Sequence, residues 1–228
     1  YDYMLQDKDR SVFRELVQYH ISGQLKVAPE HCVSSVLDYM GKPHFDVFLK
    51  FWRQYQKLNE ERGTEQYLVP YLMSSHPACT LRDAVELAEF LHRNGRPPEQ
   101  VQDFYPTPGT LSPCLYYTGI DPRDMSEVYV ARDPKDKAMQ RALLQWSRPE
   151  KRALVVEALE ETGRTDLIVY EKKCLIRPRK GEPYGQPSAK PEKPEKPERQ
   201  PRRKKETSGN RGRRGTPTAK QPVQKCKM

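Results

Sequence analysis

Two short polar turns carry the residues best suited to chemistry. Pro29-Glu30-His31 follows the apolar-alternating run Gln24–Ala28, and Ser74-Ser75-His76-Pro77-Ala78-Cys79 follows the run Tyr67–Met73. Imidazole titrates near neutrality, so His31 and His76 suit acid/base or metal chemistry. Neither has a second His or a carboxylate at metal-ligand spacing, and helix capping or a polar turn is the expected role. Cys79 and Cys114 each follow an expected strand, where a thiol becomes reactive only with a lowered pKa and access. A third stretch, Val101 to Thr110, reads as a short buried strand ending in the rigid loop Pro106-Thr107-Pro108-Gly109. Strands feeding such loops are where α/β folds place ligand contacts. Tyr105, Tyr116 and Tyr117 beside it suit a substrate pocket, although aromatic residues at strand ends more often pack as core or rim.

These turns need a scaffold, and the hydrophobic spacing supplies one. Val12, Leu16, Val17 and Ile21 mark a helical face in Ser11–Ile21, closed by Gly23. Val33, Val36, Leu37 and Met40 mark another, ended by Gly41. Phe45, Phe48, Leu49, Trp52, Tyr55 and Leu58 define a longer helix ended by Gly63. Tyr67–Met73 is almost continuously apolar, which suits a parallel strand buried on both faces. Pro70 within it argues for an edge position or a bulge. Thr80 with Asp83 forms a capping-box-like helix start, and Ala84, Leu87, Ala88 and Leu91 line that helix up to Gly95. The order is strand, helix, helix, strand, helix, strand, the grammar of βα units. Three strands leave open edges and half-covered faces, so partner strands encoded upstream of Tyr1 are expected, and the isolated chain should be poorly soluble or molten. Beyond Gly119, Val128–Val130 is an expected short strand, Asp133 caps a helix through Trp146, and Pro149–Thr162 is another helix with Gly163 at its end.

Composition divides the chain of 228 residues in two. From Arg177 to Met228 there are 17 Lys/Arg against five Asp/Glu, and before it 23 against 26, so the overall +9 belongs to the tail. Lys190–Arg199 is a Pro-Glu-Lys repeat that cannot bury a core, and Arg202–Lys205 and Arg211–Arg214 are basic clusters. Such a tail is expected to be disordered, and either to solubilise the chain or to bind RNA or a ribosome through phosphate contacts. No apolar run is long enough for a transmembrane helix. The charged N-terminus lacks the apolar core of a signal peptide and does not begin with Met, so a processed chain or a fragment is expected. The five cysteines, Cys32, Cys79, Cys114, Cys174 and Cys226, are scattered without CxxC or CxxxCxxC spacing. Free thiols in a cytoplasmic protein are the expectation.

Five motifs in one order give the chain a resemblance. They are Leu25–His31, Leu68–Pro77, Gln100–Thr110, Tyr116–Gly119 and Lys172–Pro178. From about Gly23 to Ile176 the chain resembles the C-terminal half of YgiQ-type radical SAM proteins. The resemblance implies an α/β fold: the C-terminal half of a partial (β/α) radical SAM barrel in residues 1–118, with Val101–Tyr105 as its last strand. A small, mostly helical family-specific domain in 119–176 and the disordered tail 177–228 would follow.

The resemblance also implies S-adenosylmethionine and a [4Fe-4S] cluster in the intact protein. Family members hold the cluster on a CxxxCxxC loop, and the reduced cluster cleaves the cofactor to a 5′-deoxyadenosyl radical. That loop is expected before Tyr1, in the missing N-terminal half of the same barrel. The implied cofactor-binding residues are Glu30, at a strand end where the alternative is a solvated carboxylate, the loop residues Ser74, Ser75 and His76, and Phe104 and Tyr105 near the adenine. The family commonly has Gly where this chain has Ala78, so a left-handed backbone there would be costly. The substrate, and any catalytic residue of this chain, stay open.

Overall fold

Parallel pairing of three strands organises the chain. The computed structural model describes residues 1–94, 98, 101–172 and 174–184. The expected cap Gly95 and the basic segment 185–228, with its repeat and Arg/Lys clusters, lie outside the described residues. The strands β1 (Gln24–Glu30), β2 (Tyr67–Ser74) and β3 (Gln102–Asp103) form a sheet in the order β1-β2-β3, parallel throughout. Between β1 and β2 run α1 (Ser34–Met40) and α2 (Phe45–Arg62), and between β2 and β3 runs α3 (Leu81–Arg93). The expected βα order is therefore present as an open sheet of three strands among the described residues.

The local signals act as their chemistry dictates. The Thr80 hydroxyl accepts from the Asp83 N–H while the Asp83 carboxylate accepts from the Thr80 N–H, a reciprocal cap on α3, worth about 1 kcal/mol. Gly63 ends α2 in a left-handed conformation at φ 62°. Leu25, Val27 and Leu68 turn one sheet face onto Phe51, Tyr55 and Leu58 of α2. Preceding β1, Ser11–Tyr19 forms a helix whose buried face is Phe13 and Val17; Val12, expected inside, is 53% exposed. Phe13 wins because its ring stacks on Phe51 at 4.8 Å. A short N-terminal helix, Asp2–Gln6, had no sequence signal.

Three strand expectations are corrected. β2 is not buried on both faces: Tyr67 and Tyr71 are exposed, beside exposed Gln24 and Lys26. Among the described residues helices cover only the other face. Pro70 lies in the central strand of the order, not at an edge, and the register irregularity beside it, where Val27 pairs Pro70 and Glu30 next pairs Leu72, puts the extra residue in β1. The buried strand Val101–Tyr105 is only Gln102–Asp103, extended by the Phe104 N–H donating to the Ser74 carbonyl at 2.8 Å. Tyr105 is largely exposed, and Pro106 has no N–H with which the ladder could continue. Val128–Val130 is no strand; a single bridge joins Ile120 to Glu127.

The remaining elements are α4 (Leu111–Thr118), α5 (Pro134–Leu144) and α6 (Arg152–Glu161), the last preceded by a 3₁₀ turn at Pro149–Lys151. Asp133 caps α5 by accepting from the Lys135 N–H at 2.9 Å, and the helix ends at Leu144 rather than Trp146. Leu87 and Leu91 of α3, Leu143 of α5, Leu159 of α6 and Ile168 share one buried cluster. The Arg164 guanidinium forks onto both Glu89 oxygens at 3.0 Å, tying the chain after α6 to α3. The start of the expected tail is also held: Arg152 binds Glu182 at 2.5 Å, and Tyr184 packs against the shared cluster. No helix among the described residues is long and apolar enough to cross a membrane.

Candidate functional site

A cavity of about 360 Å³ opens at the carboxyl ends of the three strands. Glu30, Lys42, Met73, His76, Phe104 and Tyr105 are among its walls, with Thr107, Thr110 and Ser112 from the loop and helix after β3. Four of the six residues implicated by sequence thus meet in one place. Ser74 and Ser75 are buried behind it.

Each wall residue is set by its element. Glu30 ends β1 with φ 66°, a left-handed conformation that an unbranched acid rarely adopts without cause. One carboxylate oxygen lies 3.5 Å from the Lys42 ammonium, and the other is buried without a partner. Burial pushes the Glu30 pKa up, and the Lys42 charge only partly offsets this. The Lys42 ammonium also donates to the Ala28 carbonyl at 3.2 Å. A carboxylate and an adjacent cation in one cavity wall are complementary to a ligand with both an ammonium and a carboxylate group.

His76 is buried and its Nδ1–H donates to the Pro77 carbonyl at 2.6 Å. That bond fixes the tautomer, so Nε2 accepts from the Ser112 hydroxyl at 2.9 Å. Burial lowers its pKa to about 4, and the ring is neutral at physiological pH. Its edge meets the Phe104 ring at 5.0 Å, and Phe104 lies 5.6 Å from Tyr116. The Ser74 hydroxyl donates to Asp103 at 2.5 Å, and Asp103 also receives Arg141 of α5 at 2.9 Å. Ser75 and Ala78 are both left-handed, at φ 60° and 72°, so Ala78 bears the cost that a glycine there would avoid.

His31 does not reach the cavity. Its Nδ1 accepts from the Val33 N–H at 3.1 Å, the polar-turn role expected for it. Nε2–H then points at the Cys79 sulfur, 3.5 Å away, and the thiol donates to the Thr80 carbonyl at 3.7 Å. Burial holds His31 neutral, with a pKa near 4, and drives the Cys79 thiol well above its ordinary value. Cys79 is thus a packed neutral thiol. Cys114 lies within α4, not after a strand, because the loop following β3 ends at Thr110. Tyr117 is exposed at the surface, whereas the Tyr116 hydroxyl accepts from Lys137 at 3.0 Å.

Lys42, Ser112 and Gln140 were missed in the sequence. Gln140 of α5 is wholly buried, and a Gln inside an apolar helical face is the only signal that marks it. A second, larger cleft of about 620 Å³, with Cys32, Arg82, Glu89 and Arg164 in its walls, has no comparable chemistry. Arg164 is already paired with Glu89, and burial pushes the Cys32 thiol up to about 12. Among the described residues no three His, Cys, Asp or Glu side chains gather as a metal site would need.

Fold and site together define an α/β protein with a ligand-sized pocket at the carboxyl ends of parallel strands. The chain belongs to the family described as domain of unknown function DUF3362, which matches residues 99–227. It is also 55% identical over 177 residues to a UPF0313 protein of Clostridium perfringens (strain ATCC 13124), covering 78% of this chain and 27% of the relative. A UPF0313 protein of Methanosarcina mazei is 51% identical over 177 residues, covering 78% and 28%. The chain therefore spans about a quarter of the length of these curated relatives. No solved structure matches it.

Proposed function

We propose that this chain is part of an iron–sulfur radical SAM enzyme and supplies one wall of its S-adenosylmethionine pocket. The observation that carries this reading is the convergence of Glu30, His76 and Phe104 on one cavity at the strand ends. The YgiQ-like motif order and the similarity to UPF0313 proteins support it.

The wall fits the cofactor's three parts. The Glu30 carboxylate in the cavity wall would accept from the methionine ammonium, and Lys42 beside it would pair with the methionine carboxylate. Phe104 offers an aromatic surface to adenine, and the hydroxyls of Thr107, Thr110 and Ser112 offer partners for the ribose. Bound S-adenosylmethionine would supply a sulfonium carbon–sulfur bond that one electron breaks. The residues of this chain bind, orient and desolvate. His76, neutral and twice hydrogen-bonded, shapes the wall without moving a proton. The cluster does not fit here, since Cys79 is packed and the Cys32 thiol is strongly disfavoured as thiolate. In this reading its ligands come from other parts of the protein.

The test is anaerobic reconstitution of the complete gene product with iron and sulfide, followed by dithionite and S-adenosylmethionine. Cluster absorbance and release of 5′-deoxyadenosine are expected. Failure of both, or a complete coding sequence lacking CxxxCxxC, would overturn the reading.

A second reading rests on charge. Residues 185–228 hold 14 Lys/Arg against four Asp/Glu, and we propose that this segment binds RNA phosphates independently of the pocket.

A further inference from the structure

We infer that Gln140 is a positioning residue: from α5 it clamps the left-handed turn Ser75–Ala78 and so presents His76 to the pocket. This assigns a role to the family-specific region after β3. Its consequence for the cofactor rests on the reading above, but the clamp itself does not.

The turn needs holding. A left-handed conformation costs a non-glycine residue about 1–2 kcal/mol, and Ser75 and Ala78 both adopt it within four residues. The backbone N–H groups of those two residues are the ones held by groups following β3. The Ser75 N–H donates to Gln140 Oε1 at 3.2 Å, and the Ala78 N–H donates to the Tyr129 carbonyl at 2.8 Å. Gln140 Nε2 donates to the Cys79 carbonyl at 3.1 Å and to Asp136 at 3.4 Å. One amide therefore brackets the turn at both ends.

The identity of the residue supports the same conclusion. Gln140 is wholly buried, flanked by buried Met139 and by Ala142 and Leu143. An amide buried there is costly unless its polar atoms are bonded, and an apolar residue would pack the cluster more cheaply. The amide is accounted for by the carbonyl and N–H that it satisfies across 61 and 65 residues of chain. Arg141, the next residue of α5, binds Asp103, which in turn accepts from Ser74. The helix thus fixes the residues on both sides of the β2 exit, while His76 lies between the two bracketed positions and faces the cavity.

The experiment is native-state hydrogen exchange of the full-length protein, with amides 74–80 compared against α6. In the wild type the Ser75 and Ala78 amides are expected to be protected; exchange at random-coil rates overturns the clamp. Gln140→Met should speed exchange at 75–79 at least tenfold and leave α6 unchanged. No acceleration there, or equal acceleration in α6, refutes a positioning role. Should that variant fail to fold, Gln140→Asn keeps the amide but is one methylene too short to reach both ends, and carries the same expectation and refutation. Binding of S-adenosylhomocysteine gives a second readout: a tenfold or greater loss in Gln140→Met, recovered when Ala78→Gly removes the backbone cost. If the wild type binds none, the cofactor reading fails while the exchange result still decides the clamp.

Discussion

The Ser112 hydroxyl donates to Nε2 of His76 at 2.9 Å, joining the first turn of α4 to the loop leaving β2. The bond is made only to a neutral imidazole whose other nitrogen is committed to the Pro77 carbonyl. Protonation would turn Nε2 into a donor, force the Ser112 hydroxyl to rotate and accept, and place a charge in a buried wall. Replacing Ser112 by Ala should leave Nε2 unsatisfied and cost about 1–3 kcal/mol of stability, measured by urea denaturation; an unchanged midpoint would show the bond to be dispensable.

Two buried neutral histidines make stability depend on pH. Burial lowers both His31 and His76 to about 4, below the unfolded value near 6.5. Between those values the unfolded chain binds protons that the folded chain does not. Stability is thus complete above about pH 6.5 and is lost as pH falls toward 4. At about 1.4 kcal/mol per pH unit, each histidine should remove about 2 kcal/mol at pH 5. Urea midpoints that coincide at pH 7.5 and pH 5 would contradict this.

Ala78 holds a conformation that suits glycine. Ala78→Gly should relieve about 1 kcal/mol of steric cost, less the entropy that glycine adds to the unfolded chain, for a net gain of about 0.5 kcal/mol. Thermal unfolding of the two proteins, side by side, tests the sign. A lower melting temperature in the variant would mean that the Ala78 methyl packs better than its backbone suffers.

Glu30 trades stability for binding. Its folded-state pKa is raised, so the folded chain holds its proton longer than the unfolded chain as pH rises, and the ionised carboxylate is destabilising at neutral pH. Glu30→Gln should therefore leave stability unchanged or slightly higher. It should also weaken S-adenosylmethionine binding at least tenfold, the loss expected for one charge-assisted hydrogen bond of about 1.5–3 kcal/mol. Calorimetry on the full-length protein separates the two effects; equal affinity would remove Glu30 from the site.

The basic segment should act by charge alone. Deleting 185–228 while keeping Arg177–Tyr184, which packs against the fold, should abolish RNA binding without lowering the melting temperature. In the intact protein, affinity should fall steeply between 50 and 200 mM salt, as counterion release requires. Filter binding at several salt concentrations is sufficient, and a flat salt profile would exclude phosphate contacts as its basis.

The elements were legible where their causes are local. Thr80 and Asp83 cap α3 because they are three residues apart, Gly63 stops α2 because only its own backbone must turn, and Asp133 starts α5 through a neighbouring N–H. Strand extents were less legible. The apolar run Tyr67–Met73 has the composition of a strand covered on both faces, but coverage depends on what packs against it, and Tyr67 and Tyr71 are exposed. Val12 and Phe13 both suit a helical face, and only the approach of Phe51 decides between them.

The site divides along the same line. The sequence by itself determined that Glu30, Ser74–His76 and Phe104–Tyr105 fall at or just after successive strand-like runs, since each run and the turn after it are short-range properties. Only the tertiary structure decided that Lys42 faces Glu30, that Ser112 meets Nε2 of His76, and that Gln140 brackets the turn from 65 residues away. The last two contacts depend on how α4 and α5 dock over the β2 exit, and the first on how the turn after α1 folds back on the end of β1. Docking is set by the shape of the shared core, which no window of neighbouring residues contains.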